Sequence, residues 1–411
     1  MFQTPTLALL VTLVLLCSGV PSVIGDDALE GKWQLRLQHK EIVIRCGLEL
    51  AKSKRQWMGT LVNGVERIPI ATSVSAESIV LEIPHYDSTI RMEVVRNQEG
   101  GPSAAQGVWR KRRGPNEWVE MQAHATRPSA DQRGELKVAE RFAGRWQVDF
   151  SDAEDPAVGV FAVEDDGRMR GTFLTTTGDY RFLSGVAEGH RMSLSCFDGA
   201  HAFLFEARLK DNGEIEGDFW SSNTWHETFT AVRNENATLP DSFQQTLVNR
   251  NVKLSEFEFP DVNGHPVNLD AESFRGKPRL IYIFGSWCPN CHDAAAYLST
   301  LEKTYASRGL SILGLAFELT GDFDRDAEQV KRYLARHRCD YPVLIAGTAD
   351  KVKASRTFPL LDRVRSYPTT IFIDRSGKIT AVHTGFSGPA TGQAFETLKQ
   401  RFETEIESLL D

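Results

Sequence analysis

The chain has 411 residues, 41% hydrophobic and 25% charged. That composition excludes global disorder and fibrous repeats, and at about 100–200 residues per domain it predicts two to four domains. Lys plus Arg number 47 against 55 Asp plus Glu, a net charge of −8, so no basic surplus points to nucleic acid. No apolar run of about 18 residues follows the N-terminus, which excludes a multi-span helical membrane protein.

Residues 7–16 are almost wholly apolar, the length of a signal-peptide core rather than a bilayer span. Val23 and Gly25 stand at the small-residue positions before a cleavage at Asp26, so 1–25 is expected to be a signal peptide. The segment carries no Lys or Arg, and Cys17 follows Leu16. An uncleaved anchor and a lipidated Cys17 are the alternatives. Each places the rest of the chain in an extracytoplasmic, periplasm-like compartment where disulfide chemistry operates. Membrane contact is expected only through an uncleaved leader.

Two β modules follow, at 26–137 and 138–235. Gly31-Lys32-Trp33-Gln34 recurs as Gly144-Arg145-Trp146-Gln147, Gly59-Thr60-Leu61 as Gly171-Thr172-Phe173, and Gly107-Val108-Trp109 as Gly217-Asp218-Phe219-Trp220. Trp118-Val119-Glu120 is echoed by Trp225-His226-Glu227. The offsets of 113, 112, 110 and 107 drift slowly and in order, which reads as an internal repeat. Short apolar runs alternate with Asn63-Gly64, Asp166-Gly167, Asp198-Gly199 and Asn212-Gly213, the turn chemistry of hairpins. The expectation is two antiparallel sandwiches or small barrels, an up-and-down meander among the options. Trp109, Trp220 and Trp225 read as core, with a ligand cleft as the alternative. His201 and His226 lack a clustered partner for metal and read as structural or surface residues. Cys46 and Cys196 lie in different modules and read as buried free thiols, an inter-module bridge being the other option. Residues 236–250 are polar, hold Pro240 and read as a linker.

From 251 to 411 the pattern alternates strand and helix. Residues 279–284 (Arg-Leu-Ile-Tyr-Ile-Phe) form a buried-strand run, followed by Trp287-Cys288-Pro289-Asn290-Cys291 and a helical stretch. Residues 310–317, 368–374 and 379–383 read as further strands, and 326–338 and 391–410 as helices. The order predicts an α/β domain with a mixed sheet covered on both faces.

These residues resemble the thioredoxin superfamily, and within it the exported TlpA/ResA-like thiol-disulfide oxidoreductases. The likeness rests on the Trp-Cys-Pro-Asn-Cys motif after a buried strand and on Tyr367-Pro368-Thr369. It also rests on residues 261–267, which look like that group's N-terminal hairpin, and on Phe274-Arg275-Gly276-Lys277-Pro278. An extra helical insert is read between Glu318 and Pro368. The resemblance says nothing about 26–235.

The motif has a direct chemical reading. Disulfide exchange needs a thiolate, and a cysteine at a helix N-terminus is acidified by free N–H groups and the helix dipole. Cys288 is expected to attack and Cys291, one turn on, to resolve. The resemblance implies that Pro368 is cis and that Tyr367 offers its backbone to a substrate, with Trp287 contacting partners. It also implies that Glu318 is the proton acceptor, because Tyr282 stands where thioredoxin has a buried Asp. No cofactor or metal is expected.

Cys288-Pro-Asn-Cys291-His292 also spells a haem-attachment motif. The strand running into it argues against that use and leaves His292 as a cationic residue on the helix surface. Cys339 reads as an inert strand-edge thiol. The expected activity is disulfide exchange with exported, disulfide-containing proteins, as a reductant recharged by an upstream thiol-disulfide donor, for example in cytochrome c maturation. The alternative is a partner- or ligand-binding protein acting through its β modules.

Overall fold

The computed structural model describes residues 26–54, 56–128 and 134–411. The expected leader lies outside them. No helix among the described residues is long and apolar enough to cross a membrane.

The first module is a closed barrel. Its strands are β1 (Gly31–His39), β2 (Ile42–Ser53), β3 (Gln56–Asn63), β4 (Glu66–Val74), β5 (Ser78–Ile83), β6 (Ser88–Arg96), β7 (Pro102–Arg112) and β8 (Trp118–Thr126). Each pairs with the next, and β1 pairs with β8. Side chains alternate across a strand, so Trp33, Leu35 and Leu37 of β1 point inward together. Closure leaves no unpaired edge. The interior is filled by side chains, among them Trp33, Leu48, Leu81 and Trp109.

The second module begins with α1 (Leu136–Phe142) and continues with β9 (Gly144–Phe150), β10 (Ala157–Val163), β11 (Met169–Thr175), β12 (Gly178–Asp179), β13 (Leu183–Glu188), β14 (Arg191–Phe197), β15 (Ala202–Leu209), β16 (Ile215–Ser221) and β17 (Trp225–Arg233). Pairing of β10 with both β9 and β11 closes an eight-stranded ring, while the two-residue β12 pairs only with β11. Both modules are therefore up-and-down barrels, not sandwiches.

The barrels open alike. Trp33 Nε1 donates to Leu29 O at 2.9 Å, and Trp146 Nε1 donates to Phe142 O at 2.8 Å. Gly31 and Gly144 adopt φ of 113° and 108°, which disfavour any other residue. Arg127 lies 4.0 Å from the Trp33 ring, and Arg233 lies 4.5 Å from the Trp146 ring.

The three tryptophans have different fates. Trp109 is core and donates to Ser88 Oγ at 2.8 Å. Trp220 belongs to the second barrel but packs half-buried on the core of the first. Trp225 is 50% exposed, contrary to the core expectation, because it starts β17 at the barrel rim. His226 is surface-exposed and bonds Asp218, and His201 stacks on Phe203. Cys46 and Cys196 are free thiols buried in separate cores.

The last module opens with a hairpin of β18 (Glu258–Pro260) and β19 (Pro266–Asn268). Next come β20 (Arg279–Phe284), α2 (Pro289–Tyr305), β21 (Ser311–Glu318) and α3 (Phe323–His337). The chain ends with β22 (Val343–Thr348), α4 (Lys351–Thr357), β23 (Thr369–Ile373), β24 (Ile379–Thr384) and α5 (Gln393–Leu410). The sheet order is β22-β21-β20-β23-β24, with β20, β21 and β22 parallel and the other pairings antiparallel. This is a thioredoxin fold. The expected insert between Glu318 and Pro368 contains a strand, β22, as well as helices. Its apolar run is too brief to stand out in sequence.

The modules interlock. Phe197, at the tip of the β14–β15 hairpin, joins the first barrel's core, and Asn63 brackets its backbone with two 3.0 Å hydrogen bonds. Residues 236–250 pack closely: Ala237 and Thr246 are buried, and Asp241 pairs with Arg401 at 2.8 Å.

Candidate active site

All six residues of β20 are buried, so this strand aims the following loop rigidly. Cys288 is the N-cap of α2, and Pro289 opens the helix where no N–H is needed. The Cys288 thiol is held below its ordinary value, first by a hydrogen bond from the Cys291 thiol. The N–H groups of Cys291 and Asn290 and the charge of Lys111, on the first barrel, add to this against the cost of burial. Cys291 is fully buried, and burial together with the Cys288 charge pushes its thiol well up. Cys288 retains 8% exposure. Its thiol donates to Tyr367 O at 3.4 Å, and the Tyr367–Pro368 peptide is cis.

Trp287 folds back over Gly285, where a Cβ would lie 2.2 Å from its Nε1. Its Nε1 donates to Phe317 O at 2.9 Å, and its ring meets Tyr367 edge-on at 5.5 Å. Glu318 ends β21 and is buried, not solvated. Burial raises its carboxyl to about 7 although Ser286 donates to it twice. Cys288, Cys291, Trp287, Tyr367 and Pro368 are thus brought together, and Glu318 reaches them through Ser286.

Tyr282 fills the position of thioredoxin's acid. Its hydroxyl and that of Tyr333 both donate to Cys291 O, at 2.8 and 2.7 Å. Tyr282 therefore anchors the first turn of α2.

His292 corrects the surface expectation. It is buried against Tyr86, His85, Tyr333 and His337, because the Pro84–Tyr86 turn of the first barrel and α3 cover that helix face. Nε2 donates to Ser286 O at 2.7 Å, and Nδ1 lies 2.6 Å from His337 Nε2. Burial holds the ring neutral, with its pKa well below the ordinary value. Both nitrogens are engaged within the protein, which does not fit a haem ligand. Cys339 lies in the loop after α3, not at a strand edge, and burial raises its thiol to about 11.

Sequence reasoning missed the contributions of the barrels. Arg181 of the second barrel meets Glu66 of the first at 2.9 Å, Asp198 of its own barrel at 3.3 Å, and Asp293 of α2. Burial raises Asp293 to about 7 against the pull of Arg181. One guanidinium thus ties three modules together two residues after Cys291. Only Asp293 lies near the motif in sequence, and nothing in the chain pairs it with Arg181.

Residues 249–398 match the Redoxin family. This part of the chain is a redoxin domain of the thioredoxin superfamily. The redoxin domain is similar to thiol-disulfide oxidoreductase ResA of Bacillus thuringiensis subsp. konkukian, 27% identical over 123 residues, which is 30% of this chain and 62% of that protein. It is also similar to thioredoxin-like protein YneN of Bacillus subtilis, 25% identical over 130 residues, 32% of this chain and 68% of the other. Among solved structures, a thiol:disulfide interchange protein of the thioredoxin family from Chlorobium tepidum TLS is 25% identical. It covers 38% of this chain and 93% of its own, with a TM-score of 0.29. The chain spans about three fifths of the ResA relative, and its barrels lie outside the redoxin match.

Proposed function

We propose that the chain is an exported thiol-disulfide oxidoreductase that reduces disulfides in extracytoplasmic proteins. The Cys288 thiolate attacks one sulfur of a substrate disulfide. A mixed disulfide forms and the first substrate thiolate leaves. Cys291 then gives up its proton and attacks the Cys288 sulfur, releasing the second substrate thiol and leaving a Cys288–Cys291 disulfide. Two electrons pass to the substrate, and a dithiol donor must return them.

The observation that carries this reading is the contrast between the two sulfurs. One is acidified at a helix N-terminus beside the Pro368 loop, and the other is sealed behind it. Glu318 is the acceptor for the Cys291 proton, since a carboxyl near 7 exchanges protons at neutral pH. A cavity of about 20 Å³ beside it, lined by Ser286, Trp287, Arg112 and Arg325, has room for one water. Trp287, Tyr367 and Pro368 form the substrate-facing wall.

Cys291→Ser tests the reaction, because it stalls the mixed disulfide. A covalent adduct released by dithiothreitol is expected, and no adduct at Cys288 would reject the reading. Titration against glutathione tests the direction. A potential at or above about −180 mV contradicts a reductant.

A further inference from the structure

The groove beside Cys288 is already filled by this chain. In the exchange reaction proposed above, on which this inference rests, a polypeptide substrate lies along the Tyr367–Pro368 loop as an added strand. The turn between β11 and β12 stands against that loop. Ser366 Oγ donates to Thr177 O at 2.8 Å. Gly385, whose N–H binds Pro368 O at 2.9 Å, is packed so closely that a Cβ there would lie 2.8 Å from Thr176 O.

The same segment reaches the other side of the groove. Asn290, between the two cysteines, donates to Asp179 O at 3.4 Å. A Cβ on Gly178 would lie 1.9 Å from the Asn290 amide nitrogen. The Asp179 carboxylate accepts the Gly388 N–H at 2.6 Å and the Arg181 N–H at 2.8 Å, and Arg181 pairs with Asp293. Residues 176–179 thus touch both the Pro368 side and the Asn290 side of Cys288, which is 8% exposed. Because β12 pairs only with β11, this turn can lift without opening the barrel ring.

We propose that residues 176–179 are a substrate-selecting wall: docked, they admit small disulfides to Cys288, and a polypeptide disulfide reacts only after they lift. The exchange chemistry and its electron balance are those given above. If the lifted state is about a tenth of the population, polypeptide reduction is slowed about tenfold, and loosening the wall restores it.

Asp179→Ala and Asp179→Asn, made separately in the full chain, weaken the carboxylate's hold on the Gly388 N–H and loosen the wall from the barrel side. Their rates are measured with oxidised glutathione and with insulin. The expected result is insulin reduction raised about tenfold with the glutathione rate within about twofold of the parent. Parallel changes for both substrates, or a parent already as fast on insulin as the variants, would overturn the inference and leave the oxidoreductase reading standing. Reaction with neither disulfide in any form would overturn both.

Hydrogen exchange on Cys291→Ser gives a second readout that does not depend on the wall variants folding. Loading Cys288 with a cysteine-containing decapeptide should deprotect amides 176–181, and loading it with glutathione should not. Equal protection in both adducts would also overturn the inference.

Discussion

Ser286 donates both its N–H and its hydroxyl to the buried carboxylate of Glu318, at 2.8 and 2.6 Å. The same residue offers its carbonyl to His292 Nε2. A single position two residues before Cys288 thus joins the proposed proton acceptor to the helix that carries both thiols. The pair holds a carboxyl near 7 where burial alone would drive it higher.

Glu318→Gln should slow resolution of the mixed disulfide by about 10²-fold at pH 7 and leave formation of the adduct unchanged. Stopped-flow measurement of the two steps checks this, and equal slowing of both contradicts it. The effect should shrink as pH rises, because hydroxide can then take the Cys291 proton.

The same group sets a stability slope. Folding raises Glu318 from 4.5 to about 7, so the folded chain holds the extra proton between those values. Its contribution makes the protein less stable as pH rises through that window. Glu318→Gln should flatten this part of the slope and raise Tm at pH 8 relative to the parent.

Tyr282→Phe should leave turnover within about twofold and cost about 1 kcal/mol of stability, since Tyr333 still donates to Cys291 O. Urea unfolding and a turnover assay check the two parts. Loss of resolution alone would make Tyr282 a proton carrier.

His85 packs against Tyr86 and His292 where the first barrel meets α2 and α3, with His337, Arg336 and Asp198 acting on its charge. Burial lowers it from 6.5 to about 3, and His337 falls to about 4. Both contribute stability above 6.5 that is lost as pH falls toward those values, because the unfolded chain takes up protons first. His85→Phe should weaken the acid-side fall in Tm. An unchanged acid limb would contradict this burial.

Much of the redoxin domain is legible locally. The apolar run of β20, the Cys288–Cys291 spacing and the helix after it are contiguous in sequence, whereas Glu318, the last residue of β21, is singled out only by the family resemblance. The Asn63-Gly64 and Asn212-Gly213 steps mark hairpins without help from distant residues. What the chain hides is long-range. The burial of His292 depends on a turn 206 residues earlier, and Arg181 reaches Asp293 from another module. Trp109 and Trp220 stand in echoed segments, yet one fills its own barrel and the other packs half-buried on the core of the neighbouring barrel. Periodicity reports which face is buried within an element, and it does not report which element covers that face.

The most direct test is the rate at which the reduced chain, carrying Cys291→Ala so that the second thiol of the motif cannot react, is alkylated at Cys288 by iodoacetamide as pH is varied. Because Cys291 supplies one of the acidifying hydrogen bonds, the same titration is run on the parent, with mass spectrometry assigning the site. The account predicts a parent midpoint clearly below that of free cysteine, an upward shift in the variant, and a Cys291 that stays unreactive. A parent Cys288 that titrates at about 8.5 or above, or is never alkylated, would contradict it.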